Sequence, residues 1–229
     1  MKLVLVLLGA VAFAFACKRP IKACPLAFYA LAIVLDVAFV VGTYVGLPPL
    51  VYDILFLTLH KCTLATALFA VVMYIGVFQR DSRVATYLRP IRAELSIIAW
   101  LLSLGHMAFY LSSYLTSLSS GLPQTNVAVS LGVALALLAL LVVLGVTSFN
   151  VVKKRMAKET WKRVQKLAYP FWALVYVHLL LLLLPSALLG GAPAQTGVAV
   201  YSVVFLGYAV LRVRRAVIDR HHVPEAALA

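Results

Sequence analysis

This chain has little charge. Charged side chains make up 12% of its 229 residues against 64% apolar ones, and the mean hydropathy is +1.03. No soluble globular domain of this size has that balance, so the composition describes an integral membrane protein. Acidic residues number only seven. Three cysteines, Cys17, Cys24 and Cys62, show neither zinc-site spacing nor the C-x-x-C-H of covalent haem attachment. There is no G-x-G-x-x-G and no P-loop, and no stretch long enough for a flavin or nicotinamide domain, so nucleotide chemistry would have to come from another chain. The last apolar run, "VAVYSVVFLGYAVL", has no lysine, which excludes a retinal Schiff base. Polar and apolar residues do not alternate as in an outer-membrane barrel, which leaves helices to satisfy the backbone in lipid.

Long apolar runs are what the chain does have. Read against the roughly 20 residues needed to cross about 30 Å of hydrocarbon, they predict an all-α, polytopic bundle of about seven transmembrane helices. These are near 2–16, 26–46, 54–78, 94–115, 127–149, 167–188 and 197–212. Basic residues gather in alternate connections: Lys18, Arg19 and Lys22; Arg80, Arg83, Arg89 and Arg92; Lys153 to Lys166; and Arg212, Arg214, Arg215 and Arg220. Connections such as "TSLSSGLPQT" and "LGGAPAQT" have none. The positive-inside rule then puts the N-terminus outside and the C-terminus in the cytoplasm, and predicts a multi-pass protein of the inner (plasma) membrane. The same placement argues against nucleic acid as the partner of a chain with net charge +13. The opening "MKLVLVLLGAVAFAFAC" has features of a cleaved signal, but cleavage would leave "CKRPIK" on the outer face, so a retained helix is expected. The organisation expected is an N-terminal helix with its basic connection over 1–25, a transmembrane domain over 26–215 and a polar cytoplasmic tail over 216–229.

A titratable group in hydrocarbon costs at least a few kcal/mol and calls for a reason. His106 lies 12 residues beyond Glu94 and His178 lies 12 beyond Lys166, on helices running the same way. Each imidazole therefore stands about 18 Å up its helix. Two neutral imidazoles at one depth suit the opposite faces of a six-coordinate b-type haem; alternatively, each donates a hydrogen bond to a neighbouring carbonyl and fills space. Asp36 falls mid-span, as a proton relay or as a structural group bonded to a hydroxyl. His60, followed by Lys61, falls near the outer edge, as an interfacial anchor or a haem contact. His221 and His222 fall in the tail and are assigned no role.

Taken in succession, these residues resemble the ferric reductase-like transmembrane domain, over roughly residues 53–215. The likeness is greatest to the haem-binding membrane subunits of bacterial periplasmic methionine sulfoxide reductase systems. An arginine-rich connection leads into a helix with a histidine and then a tyrosine: Arg89, Arg92, His106 and Tyr110 in "YLRPIRAELSIIAWLLSLGHMAFYL". A later Thr-Ser pair, a basic connection, a Trp and a histidine follow as Thr147, Ser148, Trp161 and His178. The resemblance implies a six-helix core with one added N-terminal helix, and His106 and His178 as axial ligands of one haem b. Electrons would pass from a separate cytoplasmic flavin reductase or a membrane quinol to an extracytoplasmic redox partner, without a complete catalytic site in this chain. Where the family has another histidine, 13 residues before His178, this chain has Gln165, which puts a second haem in doubt. His60 and Lys61 also stand where the family tends to have a glycine and a polar residue. Arg92, alongside Lys166, is a candidate partner for a haem propionate or a cofactor phosphate, with FMN or a quinone near Arg92 and Gln165 as one solution to the missing inner site. The competing readings are a proton-coupled transporter using Asp36 and the histidines, and a haem-less membrane scaffold.

Overall fold

The computed structural model describes residues 2–79, 81–117 and 125–221, with side chains left out at 2, 115–117 and 220–221. Arg80, most of the connection "TSLSSGLPQT" and the tail from His222 onward lie outside the described residues, as do the side chains of Arg220 and His221. Every described element is helical. In chain order these are α1 (Lys2–Ala16), α2 (Lys18–Ala23), α3 (Pro25–Val45), α4 (Pro49–Leu55), a π turn (Phe56–His60), α5 (Thr63–Ile75), α6 (Arg83–Leu88) and a 3-10 turn (Arg89–Ile91). There follow α7 (Arg92–Ser117), α8 (Thr125–Ser148), α9 (Asn150–Arg155), α10 (Lys158–Gln165), α11 (Ala168–Leu188) and α12 (Ala192–His221).

The helices start and stop where backbone chemistry directs. Pro25 and Pro49 sit in the first turns of α3 and α4, where a missing N–H costs nothing. Gly46, at φ +83°, closes α3, and the Ser82 hydroxyl caps α6 by accepting from the Ala85 N–H at 3.3 Å. Five segments are long and apolar enough to cross a membrane: Pro25–Val45, Arg83–Tyr114, Thr125–Ser148, Lys158–Leu188 and Ala192–Asp219. Their outward faces carry exposed Leu and Val, among them Leu26, Val203 and Val210, as contact with lipid requires. The chain is a multi-pass helical membrane protein.

The expected third span is not one helix. Pro49–His60 and Thr63–Ile75 meet at 48°, through the π turn and Cys62, whose φ of +54° lies in the left-handed region. Side chains take up carbonyls freed by the break, since none can be left bare in lipid. Thr58 Oγ1 donates to the Ile54 carbonyl at 2.7 Å, and Thr63 Oγ1 donates to the Leu57 carbonyl. The first expected span, α1, has 15 residues, short of the roughly 20 for a perpendicular crossing. It packs against α5; among the described residues five helices, or six with the bent pair taken as one span, are long and apolar enough to cross.

Small residues bring the helices close, as is usual without a strong hydrophobic drive between them. Ala10, Ala14, Ala32, Ala65, Ala67 and Ala99 join α1, α3, α5 and α7 in one core. A second joins α5, α11 and α12, where Trp172 stacks on Phe205 at 4.1 Å between centroids. Between α7 and α8, the Trp100 indole fills the space above Gly145, where any Cβ would collide with it. Gly145→Ala should therefore destabilise the bundle by about 1–3 kcal/mol through overpacking, lowering the thermal unfolding midpoint in detergent. An unchanged midpoint would mean that the α7–α8 contact relaxes around one methyl.

Candidate functional site

Both intramembrane histidines are oriented by a backbone carbonyl of a neighbouring segment. His106, on α7, has Nδ1 2.6 Å from the carbonyl oxygen of His60. His178, on α11, has Nδ1 3.2 Å from the carbonyl of Ser130 and 3.0 Å from its hydroxyl, on α8. A carbonyl only accepts, so in each ring Nδ1 carries the proton and donates. A neutral imidazole so fixed has its lone pair on Nε2, and neither Nε2 has a hydrogen-bond partner among the described residues. Both rings are half-buried. Their helices are not packed tightly together: α7 lies on α3 and α5, whereas α11 lies on α8 and α12.

His60 lies beside His106, which reaches its carbonyl. Its ring stacks on Phe56 at 4.3 Å and meets Phe109 edge-on at 5.1 Å, and the Tyr110 hydroxyl faces its Nδ1 at 3.3 Å. Tyr110 also leans against His106, with 4.7 Å between ring centroids. The helix break explains this arrangement. It turns the His60 carbonyl away from its own helix and toward α7.

Asp36, on α3, is buried with its carboxyl against the backbone at Gly105, where a Cβ would clash; Oδ1 has no partner among the described residues. Near that contact Cys62 Sγ donates to Ser103 Oγ at 3.8 Å, which in turn donates to the Ala99 carbonyl at 2.8 Å.

Arg92 and Gln165 are not part of this group. Arg92 opens α7, 14 residues before His106, or about 21 Å along the helix. The Gln165 amide donates to Thr147 Oγ1 at 3.0 Å, and Trp161 Nε1 donates to the Thr147 carbonyl at 3.0 Å. The Thr147, Trp161 and Gln165 succession is thus one contact, tying α10 to the end of α8. Ser130 is the residue that sequence reasoning missed. Its only signal was a hydroxyl within the apolar run "NVAVSLGVALALL", and serines are common in membrane helices as plain packing residues.

The bundle thus holds two half-buried imidazoles, each aligned by a carbonyl of another segment. The pattern of the ferric reductase like transmembrane component matches residues 61–176, about half of the chain, and the chain belongs to that family. The match includes His106 and Tyr110 and ends two residues before His178. An uncharacterised protein of Treponema pallidum (strain Nichols) is 42% identical over 160 residues, covering 69% of this chain and 44% of the relative. The chain thus spans less than half the length of that relative. No solved structure matches.

The Thr147 junction is testable apart from any cofactor. Trp161→Phe keeps the aromatic volume but removes the indole donor, and should cost about 1 kcal/mol, read as a lower unfolding midpoint. Equal midpoints would show that the indole bond contributes nothing net.

Proposed function

We propose that this chain is a b-type haem electron-transfer subunit of a membrane oxidoreductase, with His106 and His178 as the axial ligands. The observation that carries the reading is the shared state of the two imidazoles: each commits Nδ1–H to a carbonyl, leaving an unpaired Nε2. Carbonyl bonding alone would equally suit two space-filling histidines. What favours ligation is that each second nitrogen carries its lone pair and has no hydrogen-bond partner among the described residues, which leaves it available to a metal. Carbonyl-bonded Nδ1 is also the usual support of a ligating histidine, because it sets the tautomer and raises the basicity of the other nitrogen. Among the described residues no three His, Cys, Asp or Glu side chains gather as they would around a bare ion; two histidines are the ligand number of a six-coordinate porphyrin iron.

Bound there, haem would supply a one-electron Fe(III)/Fe(II) couple. The chain's own part is to hold the ligands and exclude water. The His60 carbonyl and Ser130 orient the two rings, and Phe39, Phe56, Phe109 and Tyr110 surround His60 on the side of α7 away from the basic connections. The basic connections are read as cytoplasmic, in an inner-membrane protein that takes electrons from a flavin reductase or a quinol and passes them to an extracytoplasmic acceptor. The likeness to membrane subunits of methionine sulfoxide reductase systems favours a separate catalytic partner. Gln165, held by Thr147, favours one haem over two.

The test is the oxidised and dithionite-reduced visible spectrum of the detergent-purified chain, with haem quantified. About one haem per chain is expected, lost in His106→Ala and in His178→Ala. His60→Ala should keep it, because that residue acts through its carbonyl. A haem-free wild type from haem-replete cells would overturn the reading.

A further inference from the structure

Between α1 and α3 the bundle leaves an apolar crevice of about 320 Å³. α1 lies on α5 and α3 lies on α7, so the two helices form its walls without packing tightly on each other. Its floor is the core itself, with Leu68 of α5 and Leu102 of α7, each 2% exposed. At the α2 end Phe13 and Phe28 meet edge-on at 5.9 Å and narrow the gap. The walls run from Val6 to Phe13 on α1 and from Phe28 to Leu35 on α3, about 10 Å along each helix. On its remaining side the crevice opens past Leu31, which is 50% exposed, onto the surface that carries exposed Leu8 and Val34.

The lining decides what can occupy this space. Thr58 is the one lining residue with a polar side chain, and its hydroxyl already donates to the Ile54 carbonyl at 2.7 Å. A water needs two to four polar partners, and a quinone ring or a charged headgroup needs donors of its own, so none of these is matched here. A helix from a second copy, about 10–12 Å across with its side chains, is too broad for the crevice. Left empty, the walls would forfeit their dispersion contacts. A hydrocarbon chain is both thin enough and apolar enough, and it is what surrounds the helices at this depth.

We infer that the crevice is a binding site for one acyl chain of a membrane phospholipid. A chain lying in it is touched from three sides, by α1, α3 and the floor. One lying on the outward face of α12, at exposed Val203 and Val210, is touched from one side. With hydrocarbon on both sides of the exchange, that difference in packing is what holds the chain in place. Gly9 keeps the crevice open: a Cβ there would meet nothing within 4 Å, so the missing side chain leaves room and does not avoid a collision. The site makes no use of the histidine pair.

A phosphatidylcholine carrying a diazirine midway along one acyl chain tests the inference. The purified chain is incubated with this probe in detergent and irradiated, and the adducts are mapped by peptide mass spectrometry. Adducts within 6–13 and 28–35 should outnumber those around Val203 and Val210 by about threefold or more. Gly9→Phe, which fills the crevice, should bring the two regions level. Native mass spectrometry of the unlabelled protein identifies the resident molecule, and one phospholipid per chain is expected. Equal labelling of both regions in the wild type, or a pattern indifferent to Gly9→Phe, would overturn the inference. So would an isoprenoid quinone or a second copy of the chain in place of the phospholipid. The wild-type comparison needs no variant, so it decides the matter even if Gly9→Phe impairs folding. Haem content is measured on the same samples, so loss of the haem reading and loss of this one are told apart.

Discussion

The bond from His106 to the carbonyl of His60 depends on a broken helix, and much of the structure is arranged around that break. In an unbroken span the His60 carbonyl would accept from the N–H four residues later and be unavailable to α7. The π turn and the left-handed Cys62 release it. An unmatched carbonyl in hydrocarbon costs several kcal/mol, so the bond both satisfies the break and aligns the imidazole. Thr58 and Thr63 serve neighbouring carbonyls in the same way, which lets one irregular turn persist at membrane depth.

On the other side of the bundle, α8 supplies the corresponding support without any irregularity. Ser130 offers both its carbonyl and its hydroxyl to His178 from a regular helix, as a small residue can where two helices lie close. The two imidazoles are thus oriented by different devices that leave the same nitrogen free. The close packing of α3 on α7 through Gly105, and of α8 on α7 through Gly145, fixes the helix that bears His106 from both flanks.

The departure from the family pattern at Gln165 has a structural counterpart. Its amide serves Thr147, alongside the Trp161 indole, and so joins α10 to α8. Gln165 is thus a hydrogen-bonding strut between the two helices.

Much was legible in the sequence. Apolar run lengths decided a helical membrane bundle because hydrocarbon tolerates no unpaired backbone, and the same runs singled out His106 and His178 as polar groups that need a partner there. Hydropathy cannot report which carbonyl loses its own partner, so the break at His60–Thr63 was invisible and His60 read as an interfacial residue. Ser130 was equally hidden, because helix rotation and register are set by side-chain packing between segments far apart in the chain. The sequence by itself determined that the chain crosses a membrane and which polar residues it takes in; the tertiary structure alone decided what those residues meet, because in lipid each buried polar atom is matched by whichever neighbour the packing brings within a hydrogen bond.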